Sequence, residues 1–344
     1  MRILITGGCG FQGSHLADYW LQAGHKLTLL NTWSDENERN VEALAAGVRI
    51  VWGSVTDREV VQKTVRSHDV VVHLAARVNV DESVKDPSSV MAVNMLGTQN
   101  VLDSALAHGA RVIYASSCEV YGSAAPLPVS EESALKPHSP YAVSKAAGDR
   151  LSFAYYKTFG LNVTIMRPSN VYGPRQKDGG AGAVIPIFVR RALEQQPLIL
   201  FGTGEQRREY LHVSDLVRAY DLVLLRHDLA GETLNCGTGE ATAIRDIAAF
   251  VAARTSTSVV CGPARPGEVP AFLIDSSRIR ALGFTPTVSF WSGLSAYIDE
   301  RIAGCPANGS TSPHRRPGPL ARGAAVAGGG STRQEVTARS GHGP

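Results

Sequence analysis

Tyr141 and Lys145 stand four residues apart in Ser-Pro-Tyr-Ala-Val-Ser-Lys, and Ser117 closes the upstream run Val-Ile-Tyr-Ala-Ser-Ser. Positions i and i+4 of a helix share a face, so phenol and ammonium can enter one site. A cation beside a tyrosine favours the phenolate and lowers its pKa. A phenolate near neutrality can take the proton of a sugar hydroxyl while a nicotinamide ring takes the hydride. Ser117 would hydrogen-bond the same oxygen. These three residues predict hydride chemistry, with Tyr141 as base and Lys145 as the group that tunes it.

The opening of the chain carries a matching signal for a dinucleotide. Residues 2–6, Arg-Ile-Leu-Ile-Thr, read as a short buried strand. They run into Gly7-Gly8-Cys9-Gly10-Phe11-Gln12-Gly13 and then into an amphipathic helix from Ser14. Gly7-x-x-Gly10-x-x-Gly13 differs by one residue from the G-x-G-x-x-G spacing. The mechanics are shared: glycines permit the tight turn and let a pyrophosphate approach backbone N–H groups at a helix N-terminus. A lone glycine set is a weak signal, but between a strand and a helix it is a strong one.

The elements that must position these residues alternate. Apolar runs at 26–30, 48–52, 70–74, 111–115 and 163–166 read as strands, with helices near 58–66, 88–107 and 141–158 between them. This alternation predicts an α/β fold, a Rossmann-type doubly wound parallel sheet, with ligands at the carboxyl ends of its strands. Past Asn170, Gly/Pro-rich turns join shorter elements, which predicts a smaller C-terminal substrate-binding lobe. The expected division is 1–170 for the dinucleotide domain, with 205–230 returning to it, 171–302 for the lobe, and 303–344 as a disordered tail. That tail is rich in Pro, Gly, Ser, Ala and Arg without periodicity.

Composition agrees. A chain of 344 residues, 44% hydrophobic, can bury a large core, and a net charge of +3 demands neither nucleic acid nor a membrane. The longest apolar run, about nine residues around 69–76, falls short of the roughly 20 that a membrane span needs. The start reads as a strand broken by glycines rather than a signal peptide. Five scattered cysteines without a C-x-x-C pair give neither a disulfide framework nor a metal site, and a reducing cytoplasm is expected.

At this point the ordered motifs resemble a known family. Besides the glycine turn and Tyr141-x-x-x-Lys145, they include His73-Leu74-Ala75-Ala76, Asn94-Met-Leu-Gly97-Thr98 and Ser116-Ser117-Cys118-Glu119-Val120-Tyr121-Gly122. Further on come Arg167-Pro-Ser-Asn170-Val-Tyr-Gly-Pro174-Arg, Gly202-Thr-Gly-Glu-Gln-Arg-Arg208 and His212-Val-Ser-Asp215. Over residues 1 to about 300 the chain is similar to the extended short-chain dehydrogenases/reductases of the nucleotide-sugar epimerase and dehydratase group. The resemblance implies NAD held by Gly7, Gly10, Phe11, Gln12, Gly13, Asn31, Leu74, Ala75, Ala76, Asn94, Tyr141 and Lys145. It also implies a nucleotide-diphosphate sugar held by Ser117, Asn170, Arg208 and Arg265, and a homodimer formed through the helices at 88–107 and 141–158.

Two departures bear on the reaction. Asn31 stands where the family usually has an aspartate that grips the adenosine ribose. It keeps a hydrogen-bonding handle but lacks the charge that repels a 2′-phosphate; Arg39 is the nearest downstream cation, and NAD remains the expected cofactor. Cys118-Glu119 follows the serine where 4,6-dehydratases resemble Asp-Glu, an acid for the departing C6 hydroxyl and a base for the C5 proton. Ser-Cys-Glu-Val-Tyr-Gly is also similar to the Thr-Cys-Glu-Val-Tyr-Gly of UDP-N-acetylglucosamine 5,6-dehydratases. Dehydration through oxidation at C4 is therefore expected, with Glu119 and Cys118 assisting. Three alternatives stay open: 4-epimerisation, decarboxylation of a UDP-glucuronate, and a non-catalytic dinucleotide sensor. A bland reading of the pair also stands, with Cys118 filling a small pocket and Glu119 turned away.

Overall fold

The computed structural model describes residues 1–178, 183–264 and 269–304, and residues Met1–Gly304 form one compact unit. Arg265 and the segment from 305 onward lie outside the described residues. The strands are β1 (Arg2–Thr6), β2 (Lys26–Asn31), β3 (Arg49–Trp52), β4 (Val70–His73), β5 (Arg111–Ala115) and β6 (Val163–Pro168). They continue with β7 (Asn170–Tyr172), β8 (Leu198–Phe201), β9 (Arg207–His212), β10 (Thr233–Cys236), β11 (Ala241–Ala243) and β12 (Val259–Gly262). Seven form a parallel sheet in the order β10-β6-β5-β4-β1-β2-β3.

Alternation along β1 shows why both faces are covered. Ile3 and Ile5 enter one apolar cluster, with Leu16 and Trp20 of the helix Phe11–Gln22 and Leu216 and Tyr220 of the helix Val213–Leu225. Leu4 enters the opposite cluster, with Val61, Val101 and Leu102. Successive strand residues point to opposite faces, so an unbroken apolar strand needs helices on both sides. The helix Val213–Leu225 thus shares the core of the main sheet, and Trp20 Nε1 donates to Asp221 at 2.9 Å to tie it there. β10, which the strand pattern had not indicated, extends the sheet beyond β6.

A third apolar cluster, including Phe188, Tyr210, Ile247 and Leu294, gathers the elements that follow β6. Two small sheets, β11-β9-β7 and β12-β8, lie among them. Among the described residues, no helix is long and apolar enough to cross a membrane.

The helix expected at 88–107 is interrupted. Pro87–Met91 and Gly97–His108 are α-helical, but Ala92–Leu96 forms a π turn. Asn94 lies in that turn, and π turns often mark functional positions because they re-aim a side chain.

Candidate active site

Strand order reverses at β1, where the chain leaves β3 at one edge and resumes at β4 on the other side of β1. That is the crevice where open parallel sheets bind ligands. The strands end nearly level: Thr6 pairs with Leu30 and His73, and His73 with Tyr114.

The glycine turn begins at this edge. Gly7 has φ +71°, and a Cβ there would lie 2.8 Å from the Ala75 nitrogen, so only glycine fits. A Cβ on Gly13 would stand 2.3 Å from the Gly7 oxygen, which shows how closely helix and turn pack. Gly10 begins the helix Phe11–Gln22; no side chain caps it and no acid sits in its first turn. The partial positive charge of that helix end is thus met by no carboxylate of its own first turn, which fits a dinucleotide pyrophosphate. Phe11 and Gln12 form the first turn itself, with Phe11 edge-on to His15.

Asn31 ends β2 and serves the turn: Oδ1 accepts from the Cys9 N–H at 3.2 Å, and Nδ2 donates to the Thr32 carbonyl at 2.9 Å. Leu74, Ala75 and Ala76 follow β4, and the Ala75 N–H donates to Thr6 Oγ1 at 3.2 Å. Buried His73 bridges Thr6 and Thr98, and burial lowers its pKa to about 3, so it is neutral there. Asn94 is buried behind this loop. Its Oδ1 accepts from the Arg77 N–H at 2.8 Å, while Nδ2 donates to the Arg77 carbonyl and to Ser144 Oγ. Asn94 clasps the loop to the helix that carries Tyr141.

That helix, Pro140–Phe159, starts sharply. Ser139 Oγ accepts from the Ala142 N–H at 3.1 Å and Pro140 occupies the first turn, a favourable N-terminus because Pro lacks an N–H that would have no partner there. Tyr141 is 8% exposed and Lys145 4%. The Lys145 ammonium donates to the Ala115 carbonyl and lies 4.8 Å from the centre of the Tyr114 ring. Burial pulls its pKa down to about 8, against the opposing pull of Asp149. Asp149, one turn on, is itself clamped by buried Arg167 at 2.8 and 2.9 Å.

The tyrosine departs from the sequence expectation. Its pKa is raised, not lowered: burial dominates, the neighbouring Ser117 hydroxyl favours ionisation, and Glu119 and Cys118 oppose it. Lys145 spends its charge on Ala115 and Tyr114 instead. The ligand-free site therefore holds its proton on Tyr141.

Ser117 caps the 3-10 turn Cys118–Tyr121, its Oγ accepting from the Glu119 N–H at 3.2 Å. Cys118 is 3% exposed and belongs to an apolar cluster with Val120, Ala146, Phe272 and Ile274. Burial keeps it a thiol. Glu119 is reached by solvent, yet enough protein crowds it to raise its pKa, with Arg208 and His138 pulling the other way. Ser117, Cys118, Glu119, Tyr141 and Arg208 thus share one electrostatic neighbourhood.

Arg208 enters from β9, where Nη1 donates to the Val269 carbonyl at 2.7 Å and to the Arg207 carbonyl. Asn170, on the adjacent β7, donates from Nδ2 to the Glu209 carbonyl at 3.0 Å. The motifs did not single out Tyr114, His138, Asp149 or Glu209. His138 had a signal, lying three residues before Tyr141 in the loop that leads into its helix.

Residues 3–237 match the model of the NAD dependent epimerase/dehydratase family. A dTDP-glucose 4,6-dehydratase of Streptomyces niveus is 37% identical over 314 residues, 87% of this chain and 92% of that protein. A UDP-N-acetyl-alpha-D-glucosaminuronate decarboxylase of Bacillus cytotoxicus is 34% identical over 312 residues, 86% of this chain and 96% of that protein. The solved UDP-glucose 4-epimerase of Thermus thermophilus, in complex with NAD, superposes with a TM-score of 0.80 at 32% identity, covering 89% of this chain and 100% of its own. Sequence and backbone agree over the stretch that builds the glycine turn and the Tyr141 helix, so the chain belongs to the NAD-dependent epimerase/dehydratase family and uses NAD.

Proposed function

We propose that this protein is a nucleotide-sugar dehydratase that oxidises C4 of its sugar and eliminates water across C5 and C6, the hydride taken from C4 being given back at C6 in a 4,6-dehydration or at C4 in a 5,6-dehydration. When bound, NAD would supply the acceptor for the C4 hydride and a positive charge to the site. The glycine turn with Phe11 and Gln12, Asn31, and the strand end Leu74 to Ala76 hold it; Asn94 holds that strand end in place, and Lys145 takes the nicotinamide ribose. Tyr141 accepts the 4-hydroxyl proton, for which the burial that disfavours its phenolate would have to be offset by positive charge in the loaded site. Ser117 orients that hydroxyl. The C4 ketone acidifies the C5–H bond, Glu119 removes the C5 proton, and the Cys118 thiol gives a proton to the C6 hydroxyl as it leaves as water. Arg208, with Asn170 and Arg265, takes the diphosphate of the nucleotide, a planar guanidinium being suited to phosphate oxygens.

The observation that carries this reading is Glu119, a solvent-reachable carboxyl with a raised pKa in the same neighbourhood as Tyr141 and Cys118. Such a group suits a base that must also release its proton. The near-complete burial of Cys118 favours a second reading, 4-epimerisation, in which the keto-sugar turns over and neither residue of the pair is used. Incubation with dTDP-glucose, UDP-glucose and UDP-N-acetylglucosamine, followed by mass, separates them: dehydration removes one water, epimerisation leaves mass unchanged, and decarboxylation needs a uronate and releases carbon dioxide. Glu119→Gln is expected to abolish elimination while C4 oxidation persists; a fully active variant removes Glu119 from the mechanism.

The helices Gly97–His108 and Pro140–Phe159 leave Leu106, Val143 and Phe159 exposed, with Met95 and Leu96 in the preceding π turn. These residues support a homodimer across this face, tested by sedimentation of the wild type against a Leu96→Glu variant.

A further inference from the structure

Glu209 is fully buried in β9, between Arg208 and Tyr210, and its carboxylate joins three chain segments. Oε1 accepts from the Gly239 N–H at 2.8 Å, and Oε2 from the Ile274 N–H at 2.9 Å. Its own carbonyl takes the Asn170 carboxamide at 3.0 Å. The loop is shaped around the carboxylate: a Cβ on Gly237 would lie 2.1 Å from Glu209 Oε1.

The segment 269–274 runs beside β9 and is fastened at two places. Near its start, the Arg207 N–H donates to the Pro270 carbonyl and the Phe272 N–H to the Arg207 carbonyl, at 2.8 and 3.1 Å. At its end, Glu209 holds Ile274. From this segment the Val269 carbonyl accepts from Arg208 Nη1. Two of the residues assigned above to the nucleotide diphosphate, Asn170 and Arg208, are thus held directly or at one remove by Glu209.

We propose that Glu209 is a positioning residue for diphosphate recognition: by pinning the 269–274 segment it holds the Val269 carbonyl, and so the Arg208 guanidinium, in place for a nucleoside diphosphate. This rests on the nucleotide-sugar reading above. Gln in its place keeps the shape but has one acceptor oxygen where two are used, and turns an NH2 group toward a backbone N–H. One of the two anchored segments is released.

The test is calorimetric binding of UDP and of dTDP to the NAD-loaded full chain, for wild type, Glu209→Gln, Arg208→Ala and the double variant. Arg208→Ala is expected to weaken diphosphate binding strongly, and Glu209→Gln by about tenfold, the scale of one charge-assisted hydrogen bond. In the Arg208→Ala background the second change should add little, because both act through one guanidinium. NAD affinity of Glu209→Gln should stay at the wild-type value. If Arg208→Ala binds as wild type does, or wild type binds neither diphosphate, the nucleotide-sugar reading itself fails. If Arg208→Ala weakens binding while Glu209→Gln does not, or if the two losses add fully, the positioning role is overturned and the reading survives. Equal losses of NAD and diphosphate binding in Glu209→Gln mark a general structural role and also overturn it.

Discussion

Replacing Lys145 with methionine is expected to stabilise the ligand-free protein at neutral pH. Burial moves the lysine pKa from 10.5 down to about 8, so the fold binds that proton more weakly than the unfolded chain does. At ~1.4 kcal/mol per pH unit, this separation corresponds to about 3 kcal/mol at neutrality. Methionine spans a similar length without charge but leaves the Ala115 carbonyl without that donor, which returns about 1–2 kcal/mol. A net gain of about 1–2 kcal/mol should remain. The pH dependence is the sharper test. The unfolded chain holds more protons than the fold between about pH 8 and pH 10.5, so the destabilising contribution of Lys145 is fully present below that window and fades as pH rises through it. Urea unfolding of both proteins at about pH 7 and about pH 9.5 should show the advantage of the variant shrinking by about 2 kcal/mol. A methionine variant that is less stable at both values, by a constant amount, would refute the reasoning.

Two further substitutions probe the scaffold of the site. Asp149→Leu leaves the 1%-exposed Arg167 without its carboxylate and should cost about 3–5 kcal/mol in denaturant unfolding; adding Arg167→Met should recover most of it, and an unrecovered loss would assign the effect to packing instead. Gly13→Ala puts a methyl 2.3 Å from the Gly7 oxygen and 2.6 Å from the Gly8 Cα, so NAD affinity should fall on the order of a hundredfold, about 2.8 kcal/mol. Titration of NAD by tryptophan fluorescence reads this directly, and an unchanged affinity would mean that the helix need not pack so close to the turn.

Six strands of the main sheet were legible because each is a short, mostly apolar run placed between helical patterns. The glycine turn was legible because strand, turn and helix follow one another within the first 22 residues. The dyad was legible as an i, i+4 pair after a Ser-Pro start. Other features were hidden for physical reasons. β10 is a four-residue strand, Thr-Leu-Asn-Cys, whose place beside β6 is set by contacts distant in sequence. The π turn at Ala92–Leu96 interrupts a run that reads in sequence as one helix over 88–107. Spacing alone placed an ammonium near Tyr141 and so predicted a lowered pKa, but desolvation depends on burial and on where the ammonium actually turns, and burial wins. In sequence Glu209 stands beside Arg207 and Arg208, and Asp149 beside Arg150, with nothing to mark either as buried. Only the fold shows that backbone N–H groups enclose one and Arg167 the other.

The central claim is that Tyr141 accepts the C4 hydroxyl proton. Its most direct test is single-turnover mixing of NAD-loaded wild type and Tyr141→Phe with the nucleotide sugar that wild type converts, followed by the near-ultraviolet absorbance of reduced nicotinamide. Loss of the phenol oxygen should slow reduction by about a thousandfold, within the usual range for a general base, while substrate still binds. Reduction at the wild-type rate in the phenylalanine variant would contradict the account.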